Sequence, residues 1–255
     1  MYIDKDEFGY WIFSLDFPDT LSAKNHHSYF LQRLEEVLTI LHHKKLFIPT
    51  NSWCMIKRND VKFEFSNSDA DSVIQDLQVV YTKIKNEQSE NNLLLAPTYV
   101  LYGRTILDIT EPIVTEYHGS VRYKEQQNGD GFFGLLEVTA VQHDSYFEIR
   151  IDLYSDFVYP ISIDLGLLQL DLAKRNRPVL EAALGSIRAL GWTDIEPPQD
   201  EMWHERAAIK NDQIFMSYSF EDYKKELLHP NHDQAEEVAK LTDADWEFIK
   251  SCCYY

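Results

Sequence analysis

The chain has 255 residues, 44% of them hydrophobic and 13% aromatic, with a formal net charge of −18. That length and apolar content suit one large domain, or one domain with a satellite, whose core needs neither metal nor disulfide. The charge argues against nucleic acid, because phosphates are repelled unless a basic face exists, and aromatics spread along the whole chain argue against disorder.

Residues Phe8 to Phe17 read as a strand closed by Pro18-Asp19, followed by a helix from about Ser22 to Lys44. Phe30, Leu34, Val37, Leu38 and Leu41 fall at the spacing of one buried helical face. Trp53–Arg58 and Val61–Phe65 flank Asn59-Asp60, a two-residue hairpin signal. Ser68 with Asp71 resembles a capping box, and Val73, Ile74, Leu77, Val80, Tyr81 and Ile84 then form a helical stripe.

Between Leu93 and Ile163 the period switches to two. Ile113, Thr115, Tyr117, Gly119, Val121 and Tyr123 share one strand face; Leu135–Val141, the Phe147–Leu153 alternation and the Phe157–Ile163 alternation continue the series. Polar turns separate these runs, which predicts an antiparallel meander with one wet face. Asn176 with Pro178 then marks a helix start, with a stripe of Leu180, Ala183, Leu184, Ile187 and Leu190 stopped by Gly191. After a Glu196–Asp200 linker come a short strand over Gln213–Tyr218 and helices near Glu221–Leu228, Gln234–Leu241 and Asp243–Ser251, the last capped by Thr242 with Asp245. The expected fold is α+β, an antiparallel meander flanked by N-terminal and C-terminal helices, with residues 1–164 as the core and 165–255 as a mainly helical subdomain packed on it.

No known catalytic or metal signature survives inspection. Gly129-Asp130-Gly131-Phe132-Phe133-Gly134 matches a dinucleotide-binding pattern, but Leu135–Val141 reads as a strand where a helix is required, so a glycine-rich hairpin turn is expected. His204-Glu205-Arg206-Ala207-Ala208 lacks the second histidine of a zinc helix. His229 and His232 flank Pro230 in a polar turn without an obvious third ligand. His26-His27 and His42-His43 stand roughly 24 Å apart on one helix and read as surface or helix-end residues. Cys54, Cys252 and Cys253 fit reduced thiols. No metal and no cofactor is expected.

The opening residues Met1 to Glu7 lack the basic start and apolar run of a signal peptide, and no stretch approaches the roughly 18 apolar residues of a membrane span. A cytoplasmic protein without membrane contact is the expectation. Residues 194–255 hold 15 acids against 6 bases, a candidate interaction surface. Aromatics stand among those acids: Trp192, Trp203, Tyr218, Phe220, Tyr223 and Trp246 beside Glu196, Asp200, Glu201, Glu205, Glu221 and Asp222. Acids steer a basic partner and aromatics anchor it. The leading expectation is therefore a non-enzymatic partner-binding protein, of the kind in which a bacterial immunity protein neutralises a cognate toxin domain. An enzyme using His118, Glu148 and Arg150 on the wet sheet face, among neighbours such as Glu116, Arg122, His143 and Asp152, is the alternative. A scaffold or regulatory subunit is a third class.

Overall fold

Helical stripes and strand alternation sort the chain into layers, and the computed structural model shows how they stack. It describes residues 1–3, 8–56, 59–87, 96–117, 123–127, 129–162, 166–195, 207–210, 213–216, 219–229 and 232–253. In chain order these form β1 (Tyr2–Ile3), β2 (Gly9–Asp16), a 3-10 turn over Ala23–Asn25, α1 (His26–His43), β3 (Ile48–Ile56), β4 (Asn59–Glu64), α2 (Ala70–Glu87), β5 (Pro97–Thr105), β6 (Ile113–Tyr117) and β7 (Tyr123–Glu125). Then follow β8 (Phe132–Gln142), β9 (Tyr146–Leu153), α3 (Leu170–Ala189), β10 (Thr193–Ile195), β11 (Ala207–Lys210), β12 (Gln213–Met216), α4 (Phe220–Leu227), α5 (Ala235–Val238) and α6 (Asp243–Ser251).

The fold is α+β. A seven-stranded sheet runs in the order β10-β2-β9-β8-β5-β3-β4, and every neighbouring pair is antiparallel. The alternation of β8 and β9 buries Val138, Ala140, Phe147, Ile149 and Ile151 beneath the helices. From α1, Phe30 meets Phe147 at 5.4 Å and Tyr99 at 6.1 Å between ring centroids, so the predicted helical face lands on the predicted strand face. The stripe of α2 is buried through Val73, Leu77, Tyr81 and Ile84.

Four local expectations shift. The run after Ile113 is not one strand of the main sheet: β6 and β7 pair with each other (Val114 opposite Lys124), and β6 pairs in parallel with β1, forming a separate three-stranded sheet. Asn59 and Asp60 lie opposite Ile56 and Met55 as the first residues of the return strand, not as the turn. At α2 the capping residue is Asp69, which accepts from the Ser72 amide (2.9 Å) and the Ser72 hydroxyl (2.8 Å). These bonds hold its carboxyl below the usual range. The stretch after Ser155 is irregular, with isolated bridges at Ser155 and Ile161 rather than a ladder; Ile163 lies outside the described residues.

The glycine-rich segment precedes a strand, as predicted, but it connects two sheets rather than closing a hairpin. Gly131 has φ +75°, and a Cβ there would stand 2.5 Å from the Thr105 carbonyl oxygen. Only glycine fits that approach. Helix α3 begins at Leu170, well before the predicted start, and carries Pro178 inside it. Leu170, Ala173, Arg177, Leu180, Leu184 and Ile187 keep one 3-4 repeat along its buried face. The charged Arg177 at the centre of that repeat hid its first half from a purely apolar reading.

The segment after α3 is tied to the sheet. Strand β10 pairs with β2, and Trp192 packs edge-on against Phe147 at 5.1 Å. Further on, Met216 donates its amide to the Cys252 carbonyl at 2.7 Å, which fastens the chain end beside β12.

Candidate partner-binding surfaces

Helices α4 to α6 carry most of the described acids of the C-terminal section. The starts of α4 and α6 each have a local cause. Ser219 caps α4 by accepting from the Asp222 amide at 3.2 Å, and Thr242 and Asp245 form the predicted capping box on α6. Lys174 of α3 donates to Asp245 at 2.5 Å, and this bond, with those from Thr242, holds the Asp245 carboxyl down to about 2. That ion pair orients α6 against α3.

With the helices so placed, Glu221, Asp222, Glu226, Glu236, Glu237, Asp243 and Glu247 are all exposed. Next to Glu221 and Glu247 in the chain lies a half-buried aromatic ledge. Phe220 and Trp246 meet edge-on at 6.2 Å, and the Lys224 ammonium stands 5.6 Å from the first ring and 5.9 Å from the second. Of the aromatics predicted to anchor a partner, Trp192 is 2% exposed and Tyr223 5% exposed. Both are core residues in this fold; Trp192 faces Phe147 with the Arg33 guanidinium 5.9 Å from its ring. The expected surface role therefore rests on Trp246 with Phe220, beside Glu221 and Asp222. Glu196, Asp200, Glu201, Trp203 and Glu205 lie outside the described residues.

The outer face of the large sheet carries Glu148 and Arg150. In register, Ile12, Arg150, Thr139, Val100, Trp53 and Lys62 form one row across six strands. Arg150 stacks on Tyr10, with its guanidinium carbon 4.0 Å from the ring centroid, and donates to Asp152 at 2.5 Å; Glu148 pairs with His143 at 3.3 Å. Both charges are thus engaged by neighbours. His118 and Arg122 lie outside the described residues, and Glu116 stands on the separate β1-β6-β7 sheet. Of the described members of the predicted constellation, Glu148, Arg150 and Asp152 share β9 of the large sheet, and Glu116 stands apart on β6.

A concave site appears where no sequence motif marked one. A cleft of about 480 Å³ opens between residues 108–114, the segment 167–172 that leads into α3, and Gln234 and Glu237 of the α5 region. Its walls are apolar through Ile109, Ile113, Val114, Leu167, Leu168 and Leu170. Two side-chain amides brace the chain beside it, each pairing with both backbone groups of one residue. Gln127 accepts from the Leu107 amide (2.8 Å) and donates to its carbonyl (3.0 Å); Asn176 does the same for Asp108 (2.7 and 3.1 Å). Gln234 accepts from the Leu168 amide at 2.5 Å on the opposite wall. The signal in the sequence was slight: an apolar Leu167-Leu168 pair before a helix start.

Several other titratable groups are held in the packing. His27, predicted at the surface, is 6% exposed. It stacks on Tyr81 at 3.5 Å and lies 3.2 Å from the Gln142 amide oxygen, and burial lowers its pKa to about 4. His26 stacks on Phe17 at 3.9 Å, while His42 and His43 occupy the last turn of α1 as expected. His232 contacts the Gly166 carbonyl at 3.0 Å; Pro230 and His204 lie outside the described residues. All three cysteines are buried and free, and burial raises Cys54 and Cys253 to about 12 and Cys252 to about 11, which leaves them poor nucleophiles.

Among the described residues no three His, Cys, Asp or Glu side chains are placed to hold a metal, and no helix is long and apolar enough to cross a membrane. Comparison of the chain with protein families, with curated proteins and with solved structures gave no match.

Proposed function

We propose that the chain is a partner-binding protein that recognises a basic protein surface through α4 to α6, in the manner of a cytosolic immunity protein that neutralises a toxin domain. One observation carries the reading: the exposed carboxylates Glu221, Asp222, Asp243 and Glu247 stand on the same two helices as the half-buried Phe220–Trp246 ledge. Long-range attraction from the acids orients a basic partner before contact, and an aromatic ledge inside that field supplies the desolvated anchor that charges alone do not provide. A total charge of −18 strengthens the steering at low ionic strength. Lys224, lying over both rings, offers the partner's carboxylates one internal counter-charge and so fixes register.

The test is capture from the native cell lysate at low and high salt, with the wild-type chain beside a charge-reversed variant (Glu221→Lys, Asp222→Lys, Asp243→Lys, Glu247→Lys). The expected result is one stoichiometric basic partner, weakened by salt and lost by the variant; partner toxicity and its suppression by this chain are then measured directly. Tight retention that ignores all four reversals refutes the reading.

A further inference from the structure

The cleft beside α5 is a second, independent feature, and its occupant follows from its walls and its charge. Its volume of about 480 Å³ falls within the range of roughly 300–1,000 Å³ in which proteins bury a ligand or an anchoring group. The two amide braces at Leu107 and Asp108 and the Gln234 bond at Leu168 hold opposite walls before anything binds. A preformed apolar cleft binds at lower ordering cost than one that must be assembled.

Charge decides what enters. Asp108 is already paired with Arg175 at 3.4 Å. Glu111, Asp171 and Glu237 are exposed around the cleft and form no ion pair among the described residues; the lining cations likewise without an ion pair there are Lys124 and the Met1 ammonium, which donates to the Val114 carbonyl at 2.6 Å. The rim thus has a net negative charge around an apolar interior, complementary to an apolar side chain flanked by cations. Glu237 belongs both to this rim and to the acid-rich α5, which follows α4 in the chain.

We infer that this cleft receives a large apolar side chain of the basic partner, from a segment in which that side chain is flanked by lysine or arginine. The inference rests on the partner-binding reading above and adds to it a peptide-sized anchor site with its own residues. Its apolar contact is made by Ile109, Leu168 and Leu170, and its selectivity by Glu111, Asp171 and Glu237.

The test uses the full chain and a random dodecapeptide library displayed on phage, selected at low salt and counter-selected on an unrelated protein of similar negative charge. Enriched peptides are synthesised and their affinity measured by fluorescence anisotropy. Enrichment of an apolar residue flanked by Lys or Arg is expected. Affinity should fall at least about ten-fold for Ile109→Ala, as for loss of an interface anchor, and likewise for the exposed double variant Glu111→Lys with Asp171→Lys, which leaves the core untouched. Measured at about 0.15 M salt, where exposed charges are screened beyond about 8 Å, the α4–α6 reversals that omit Glu237 should leave peptide affinity within about two-fold. No enrichment beyond the control, or peptides insensitive to both cleft variants, overturns the inference. Peptides lost only with the α4–α6 reversals would overturn the cleft while leaving the partner-binding reading intact, and a partner captured from lysate that ignores those reversals would do the opposite.

Discussion

Lowering the pH from neutrality to about 5 should destabilise this protein through His27 before most of its carboxylates are protonated. The imidazole is 6% exposed, stacked on Tyr81, and its pKa falls from 6.5 to about 4 because burial penalises the charged ring, with Lys85 adding to the effect and the Gln142 bond opposing it. Between those two values the unfolded chain holds a proton that the folded chain does not, so stability rises with pH across that window and is lost on going down through it. At about 1.4 kcal/mol per pKa unit the whole effect is roughly 3 kcal/mol, of which about 2 kcal/mol is already lost near pH 5. The assay is urea unfolding followed by tryptophan fluorescence at pH 7.5 and near pH 5, on wild type and on His27→Gln. The variant loses the ring stack and is less stable at both pH values, but it has no proton to take up. Wild type should therefore lose about 2 kcal/mol more than the variant between the two conditions, a midpoint shift of about 1 M urea. Equal losses in the two proteins, or an imidazole signal from His27 that titrates near 6.5, would refute the assignment.

Other outcomes follow from individual contacts. Gly131→Ala should cost about 2 kcal/mol or more in a thermal melt, since its Cβ would strike the Thr105 carbonyl and its backbone lies in the left-handed region; an unchanged Tm refutes the close approach. The buried Asp156 carboxylate accepts from the Tyr2 amide at 2.7 Å and the Ser162 hydroxyl at 2.5 Å. Asp156→Ala should cost about 3 kcal/mol by stranding both donors, read by chemical denaturation. Glu181 receives Arg177 at 2.8 Å and the Ile214 amide at 3.2 Å. Glu181→Ala should cost about 3 kcal/mol by leaving a buried guanidinium unpaired, whereas Arg177→Met with Glu181→Leu should recover most of it; a double variant as unstable as the single one contradicts the pairing.

What the sequence determined by itself was local. The stripes of α1 and α2, the alternation of β8 and β9, and the capping box of α6 depend on residues within about four positions of one another, so periodicity and hydrogen-bonding chemistry suffice to read them. The acid excess of the chain end was legible for the same reason: charge can be counted along a line.

Tertiary structure decided everything that joins distant positions. Strand β6 leaves the main sheet because β1 pairs with it, across a separation of more than a hundred residues, and its own alternation suits either sheet equally. Trp192 and Tyr223 are aromatics like Trp246 and Phe220, but the packing buries the first two and leaves the second two half-buried. Arg177 interrupts the α3 stripe on paper, and only its partner Glu181 makes the interruption tolerable in a core. The cleft has almost no signature, because its walls come from five separate places in the chain and the amides that brace them lie 20 and 68 residues from the backbone they hold. An apolar side chain is drawn out of water with no direction attached; which surface receives it depends on strand order and register, which no local pattern encodes.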